Sequence, residues 1–355
     1  MTHRPDRAGA GRVARGNVVV STLAIVIVLA IVAAIAWAGI TYLHFTRTPL
    51  SVRAAGQTLE IARGEGFGSI VAQLREEKLT DAPPLLWRAL AMRLGVANKL
   101  HAGEYALAPG MTPTVLLENM AVGKVLHRRV TLVDGWTFAQ VLDALNAAPK
   151  LKHTPYRVLG DALIARIGKA GQNMPEGEFM PDTYDYVLGM SDLDILERAN
   201  KAMQEFLTKE WATRDQSIPL KTPYEALILA SLVEKETAVP AERPQIAGVF
   251  ERRLKLGMKL DTDPSVIFGM GAAYTGNIRK SDLETDTPYN TYMRAGLPPT
   301  PIALPGRAAI QAVLHPAAGD ALYFVAKGDG THEFSATLAE QNTAVRKYIL
   351  DKKKQ

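Results

Sequence analysis

The chain contains no cysteine. That excludes a disulfide scaffold, a thiolate nucleophile, an iron–sulfur site and any zinc site built on Cys. Histidine is sparse as well: seven residues, scattered, with no HExxH or His-x-His spacing. Metal-assisted hydrolysis has no ligand pattern to rest on, so neither a metal nor an organic cofactor is expected. No GxSxG elbow and no Ser-x-x-Lys pair occurs, which argues against serine acyl transfer. Gly64-Glu65-Gly66-Phe67-Gly68 lacks the nucleotide-binding spacing, and there is no Walker loop. Basic charge is missing from the body too. The formal net charge of +5 comes from the ends. Residues 1–17 hold Arg4, Arg7, Arg12 and Arg15 against Asp6; residues 345–355 hold Arg346, Lys347, Lys352, Lys353 and Lys354 against Asp351. What lies between is slightly acidic, and a nucleic-acid binder would carry its basic excess on a folded face.

What is present is ordinary for globular protein: 47% hydrophobic and 22% charged residues over 355 positions. That length predicts two folded units. One stretch stands apart. From Gly16 to Leu43 no residue is formally charged, and Val18–Ile40 is almost wholly Val, Ile, Leu and Ala. A helix needs ~20 apolar residues to cross the hydrocarbon layer, because only a helix satisfies its own backbone there as a single open segment. Trp37, Tyr42 and His44 fall near the far end, where amphipathic rings suit the headgroups. The arginines before the span predict a cytoplasmic tail (1–17), a transmembrane helix (18–41) and an outward-facing body. A cleaved signal peptide is the alternative, with Ala34-Ile35-Ala36 as a small-x-small site, although its apolar core would be shorter.

After a short linker from Thr46 to Arg53, a pattern recurs. Ile61, Gly64, Phe67, Ile70 and Leu74 have counterparts at Leu107, Gly110, Pro113, Leu116 and Met120, and again at Leu132, Gly135, Phe138, Val141 and Leu145. Each copy reads as a strand-like stretch, a glycine turn and an amphipathic helix. Pro83-Pro84 opens a further helix through Gly95, Leu193–Trp211 is amphipathic, Ala321–Ala326 is a short strand, and Leu338–Leu350 a terminal helix. Asp261–Pro305 is rich in Gly, Pro, Asp and Asn, with Tyr274, Tyr289 and Tyr292 among them. A long irregular stretch inside a domain is usually functional, and aromatics among polar turns suit sugar rings. The fold class expected is α+β.

Thr222-Pro223-Tyr224-Glu225 is a helix start: Thr222 caps, Pro223 suits the first turn, and Glu225 completes a capping box. The helix continues without a charge from Ala226 to Val233, so it must be buried nearly all round, and it ends in Glu234-Lys235-Glu236-Thr237. Desolvation at such an end raises a carboxyl's pKa and keeps it protonated near neutrality, as a general acid requires. A solvated helix end is the other reading of those residues. Glu234 and Glu236 lie ~200° apart on a helix, so they do not form a catalytic pair, and the residues alone do not choose between them. Asp261 and Asp263 in Leu260-Asp261-Thr262-Asp263-Pro264 are candidate ligand binders or turn formers, and His315 and His332 read as structural.

These segments together resemble a known family. Leu229-Ala230-Ser231-Leu232-Val233-Glu234-Lys235-Glu236-Thr237 is similar to the signature of the endolytic murein transglycosylases, the YceG-like (MltG) family. The likeness extends through Glu176–Tyr184, Val249–Leu254, Leu260–Val266, Asp286–Tyr292, Gly296–Pro299, His315–Ala317 and Leu322–Val325. It implies a single-pass inner-membrane protein with a periplasmic body, a LysM-like membrane-proximal region (50–149) and a catalytic domain (150–350). The substrate it implies is the glycan strand of peptidoglycan, cut internally with formation of 1,6-anhydro-N-acetylmuramic acid, so that strand length is set. Glycan polymerases and penicillin-binding proteins are the partners implied. The resemblance places the catalytic carboxyl at Glu234. Asp263, Tyr289, Asn290 and Tyr292, in the polar aromatic segment beyond it, are the candidate substrate-binding residues. Two other readings stay open: a water-using muramidase, and a non-catalytic membrane-anchored peptidoglycan-binding scaffold.

Overall fold

The computed structural model describes residues 13–167 and 176–351; most of the basic tail expected at 1–17 and the last four residues lie outside them. The chain divides into two compact units, Met1–Leu126 and His127–Gln355.

In the first unit, helix α1 (Val13–Arg47) leads to β1 (Thr58–Ile61), α2 (Phe67–Glu76), α3 (Pro84–Leu94), β2 (Gly103–Ala106) and α4 (Pro113–Ala121). Its stretch Val20–Arg47 is long and apolar enough to cross a membrane. The helix does not stop at a free linker. Phe45 sits edge-on to the buried Trp87 with ring centroids 5.2 Å apart, Leu50 is buried, and the Leu50 and Ser51 amides donate to the carbonyls of Met111 and Leu79 at 2.8 Å. The short linker from Thr46 to Arg53 contributes Leu50 to the core of this unit, beside Phe45 of α1, because both have apolar surface to bury. β1 and β2 pair antiparallel, Leu59 opposite Tyr105, and α2, α3 and α4 cover them with Ile70, Leu74, Leu90 and Leu116.

The second unit continues with β3 (Arg128–Leu132), α5 (Phe138–Asn146), α6 (Tyr156–Ile167), β4 (Asp182–Tyr186), α7 (Asp192–Ala212), α8 (Pro223–Glu236), a 3-10 turn (Pro240–Glu242) and α9 (Arg243–Lys255). Then come α10 (Asp263–Met270), α11 (Lys280–Glu284), α12 (Arg307–Leu314), β5 (Tyr323–Ala326), β6 (His332–Ser335) and α13 (Leu338–Val345), extended by a π turn to Leu350. The class is α+β, as expected. The repeated pattern is present three times as strand, glycine turn and helix: Gly64, Gly110 and Gly135 have φ of +80°, +83° and +78°, a left-handed conformation that glycine adopts without strain.

The third copy belongs to the second compact unit, which begins at His127. Its strand β3 pairs antiparallel with β4, Val130 opposite Tyr184, and Phe138 of its helix stacks on Phe179 at 5.1 Å. Partners distant in sequence draw it into the second unit.

Candidate active site

Helix α8 is the floor of the site. Thr222 caps it by accepting the Glu225 amide, but the capping box expected of Glu225 is not closed: its carboxylate takes the Lys221 amide instead, at 2.6 Å. Residues Ala226 to Val233 are all buried, packed with Ile246, Phe250, Ile310 and Val313. Such side chains each contribute roughly 1.5–3 kcal/mol when fully removed from water, so this helix is a rigid mount for whatever its last turn carries. Ser231, the polar residue inside the run, is satisfied: its hydroxyl donates to the Ile228 carbonyl at 2.7 Å and accepts the Ile302 amide at 3.0 Å.

The two glutamates at the end of α8 point to different surroundings, as a separation of ~200° requires. Glu234 faces the start of α9 and of α12. Its Oε1 lies 3.3 Å from Nη2 of Arg243, with side chains only 7% and 14% exposed, and its Oε2 accepts the Gly306 amide at 3.0 Å. Both oxygens are therefore taken by donors of the protein itself. This differs from the unpaired, apolar seat expected for a general acid at Glu234, and the reason is tertiary: Arg243 and Gly306 arrive from segments whose positions local sequence does not specify.

Glu236 faces the polar aromatic segment. Its Oε1 accepts the hydroxyl of Thr262. Burial pushes its carboxyl up to about 7; the Thr262 hydrogen bond opposes the rise, the nearby Asp263 carboxylate adds to it, and His332 counteracts it. Of the pair, the side chain with the environment expected of an acid is Glu236.

Around it, the four expected binding residues separate into two kinds. Asp263 is exposed at the start of α10, and its Oδ1 accepts the Tyr292 hydroxyl at 2.7 Å. Burial, and then that contact with Asp263, raise the Tyr292 phenol well above its ordinary value. Asn290 is fully committed elsewhere. It is 1% exposed, its amide nitrogen donates to the carbonyls of Leu283 and Thr285 at 2.9 and 2.7 Å, and its oxygen accepts the Tyr292 amide at 2.9 Å. Tyr289 meets Phe268 edge-on at 4.9 Å and shares a 2.9 Å hydrogen bond with Thr300. Asn290 and Tyr289 thus brace the loop, whereas Asp263 and Tyr292 line the surroundings of Glu236. Thr291 completes the brace, its hydroxyl accepting the Thr262 amide at 3.0 Å and meeting Ser265 at 2.9 Å.

Three contributors were not singled out as functional in the sequence. Thr262 lies inside a quoted motif but as a neighbour of the aspartates. His332, read as structural, stands on β6 and counteracts the rise at Glu236. Glu242 holds that ring: its carboxylate oxygens accept the His332 amide and face Nδ1, each at 2.8 Å. Burial alone would raise Glu242, but the hydrogen bonds from His332 outweigh it and hold the carboxyl below its ordinary value. Among the described residues no group of three or more His, Cys, Asp and Glu is placed to hold a metal ion.

The chain is similar to several known proteins. An endolytic murein transglycosylase of Bacillus subtilis is 32% identical over 275 residues, covering 72% of this chain and 75% of that protein. One from Streptococcus pneumoniae is 27% identical over 259 residues, 64% of this chain; the chain spans 46% of that longer relative. The crystal structure of a YceG-like protein from Listeria monocytogenes superposes with a TM-score of 0.52 at 28% identity, covering 81% of this chain and 99% of that one. The model of the YceG-like family matches residues 59–347, from β1 through α13, and the chain belongs to that family.

Proposed function

We propose that this chain is an endolytic peptidoglycan transglycosylase that uses Glu236 as its proton-carrying group. The observation that carries the reading is a carboxyl held near pH 7 at the end of a buried helix, ringed by Thr262, Asp263, Tyr292 and His332. A group with a pKa near working pH can give a proton and take one back at comparable cost.

In the first step the Glu236 proton passes to the oxygen joining N-acetylmuramic acid to N-acetylglucosamine, and the C1–O bond breaks. The substrate's own acetamido oxygen stabilises the positive charge at C1, as in substrate-assisted glycosidases. Glu236, now a carboxylate, accepts the proton of the muramyl 6-hydroxyl. That oxygen bonds to C1, and a 1,6-anhydro end results. No water is consumed and no metal is required, and a cut within a growing strand would set its length.

Glu234 is the donor that the family resemblance implied. Its double engagement by Arg243 and Gly306 supports a role in seating the last turn of α8 instead. α1 serves as a single-pass anchor with the body outside the inner membrane, and the strand–turn–helix pair of the first unit as a LysM-like glycan-binding module; the length of the span and the repeated topology support these assignments. Synthases of the same polymer are the partners this placement suits.

The test is digestion of purified murein by the full chain in detergent, with product analysis. Anhydro-muramyl ends that vanish in Glu236→Gln and persist in Glu234→Gln support the reading. Loss only in Glu234→Gln would return the acid to that residue. Ordinary reducing ends would indicate a muramidase. Glycan binding without cleavage by the unaltered chain would indicate a scaffold.

A further inference from the structure

Helix α3 meets α1 over little more than one turn. The Arg93 guanidinium lies over the Tyr42 ring at 5.6 Å, Trp87 is edge-on to Phe45 at 5.2 Å, and Leu86 lines a pocket with Thr41 and Phe45. From Leu86 to Arg93 is ~10 Å along α3, whereas Thr41 to Phe45 covers only ~6 Å along α1, so α3 crosses α1 rather than running beside it. The helix has three faces roughly 120° apart. Leu86 and Arg93 meet α1. Trp87, Leu90 and Ala91 are buried in the core of the unit. Leu85, Arg88 and Met92 stand in the open, Leu85 75% and Met92 64% exposed. A helix that crosses another has one flank on each side of the contact. The core takes one flank of α3. The Leu85–Arg88–Met92 face takes the other, the flank toward the free apolar run of α1, whose residues from Val20 to Ile40 are all exposed.

We propose that this face of α3 rests on the anionic lipid surface beside the span, a second membrane contact that fixes how the first unit stands on it. The proposal rests on the reading of α1 as a membrane span given above. Height is the first support. Tyr42 and Phe45 follow Ile40, the end of the apolar run, by ~3 and ~8 Å along the helix. The headgroup layer is itself ~5–8 Å deep on each side of the hydrocarbon, so α3 is fastened at its level. Composition is the second. α3 carries Arg88 and Arg93 and no acidic residue. Apolar side chains interleaved with arginine on one helix face suit an anionic interface, where the aliphatic groups enter the acyl boundary and the guanidinium groups meet phosphate. The apolar surface also continues sideways: Arg88 and Met92 line a groove of about 500 Å³ together with Phe67 and Val71 of α2. A single span leaves a body free to tilt and turn on its end. A second contact removes that freedom and holds the unit at one attitude to the surface.

The chain has no cysteine, so single ones can be introduced and labelled. The full chain is reconstituted in vesicles of phosphatidylethanolamine and phosphatidylglycerol as Leu85→Cys, Met92→Cys and, within the span, Ile40→Cys. Each carries an environment-sensitive fluorophore, and lipids with a nitroxide high on the acyl chain serve as quencher. Both α3 positions are exposed, so the labels leave the fold untouched. The expected result is blue-shifted emission, quenched by the nitroxide lipid, at both α3 positions as well as at the Ile40 position. The α3 quenching falls about two-fold or more when phosphatidylcholine replaces phosphatidylglycerol, or when Arg88→Glu is added, because both remove attraction between arginine and anionic headgroups. Quenching in the span is unaffected by either. Quenching in the span alone overturns the proposal and leaves the anchor intact. A blue shift on α3 that the nitroxide lipid does not quench shows that protein, a second copy or another chain, covers the face, and overturns it too. Quenching on α3 that ignores both lipid charge and Arg88→Glu overturns the choice of an anionic surface. No quenching at the Ile40 position withdraws the span itself, and the proposal with it.

Discussion

The hydroxyl of Thr262 donates directly to the carboxyl of Glu236. The donor is itself immobile: Thr262 is 1% exposed, its amide is held by the Thr291 hydroxyl at 3.0 Å, and its carbonyl accepts from Ser265 at 2.8 Å. A rigid donor at one carboxyl oxygen leaves the other as the exit for the proton. It also stabilises the ionised form, so it tempers the effect of burial rather than causing it.

Thr262→Val keeps the shape and removes the donor. The ionised form of Glu236 then loses a hydrogen bond, and the acid inflection in the pH profile moves up by about half a unit or more. Thr262→Ser, which retains the hydroxyl, returns it to the unaltered position. The check is the same product-release assay across pH.

The Arg243–Glu234 pair is nearly sealed from solvent. Removing one member leaves the other charge buried without compensation, so Arg243→Ala costs about 3–5 kcal/mol. The double variant Glu234→Gln/Arg243→Ala recovers part of that loss, since no bare charge remains. Denaturant unfolding of the unaltered chain, the two single variants and the double variant, compared as a cycle, measures the recovery. Equal losses in the single and double variants would show that packing, not charge, holds this corner.

Glu251 on α9 is 2% exposed, one of its carboxyl oxygens has no partner, and burial pushes its pKa to about 8 from an ordinary 4.5. Between those values the folded chain retains a proton that the unfolded chain has lost. The stability that this proton confers is complete below the unfolded value and drains away as pH rises through the folded one. Glu236, at about 7, acts in the same direction, as does Glu176, which burial also raises to about 7. The protein therefore melts at a higher temperature near pH 5 than near pH 8. Glu251→Gln, which cannot ionise, narrows the gap by an amount on the order of 2–4 kcal/mol. Thermal melts at both pH values decide it.

The apolar stretch of α1 is exposed along its length, with Leu23, Ile27 and Ile31 each at least half open. As a membrane span, it keeps the full chain in the membrane fraction after an alkaline wash. An arginine at the centre of a span costs about 2.5–3.5 kcal/mol on insertion scales. The double variant Val28→Arg/Ile31→Arg is expected to appear in the soluble fraction or to be degraded; unchanged retention would show that another surface binds the membrane.

Local order in this protein was legible without coordinates. The uncharged run before Leu43, the threonine cap and proline at the start of α8, and the three strand–glycine–helix copies all depend on neighbours within about ten residues, where spacing and backbone preference decide. The uncharged stretch from Ala226 to Val233 was enough to show that α8 is buried. What the tertiary structure decided is what surrounds each glutamate of its last turn. Glu234 and Glu236 are equivalent in the pattern, two residues apart at one helix end. They differ only in what other parts of the chain bring to them: Arg243 and Gly306 to the first, Thr262, Asp263 and His332 to the second. A carboxyl's chemistry is set by desolvation and by charges within a few ångströms. Those neighbours stand tens of residues away along the chain, so only the folded chain could tell the two apart.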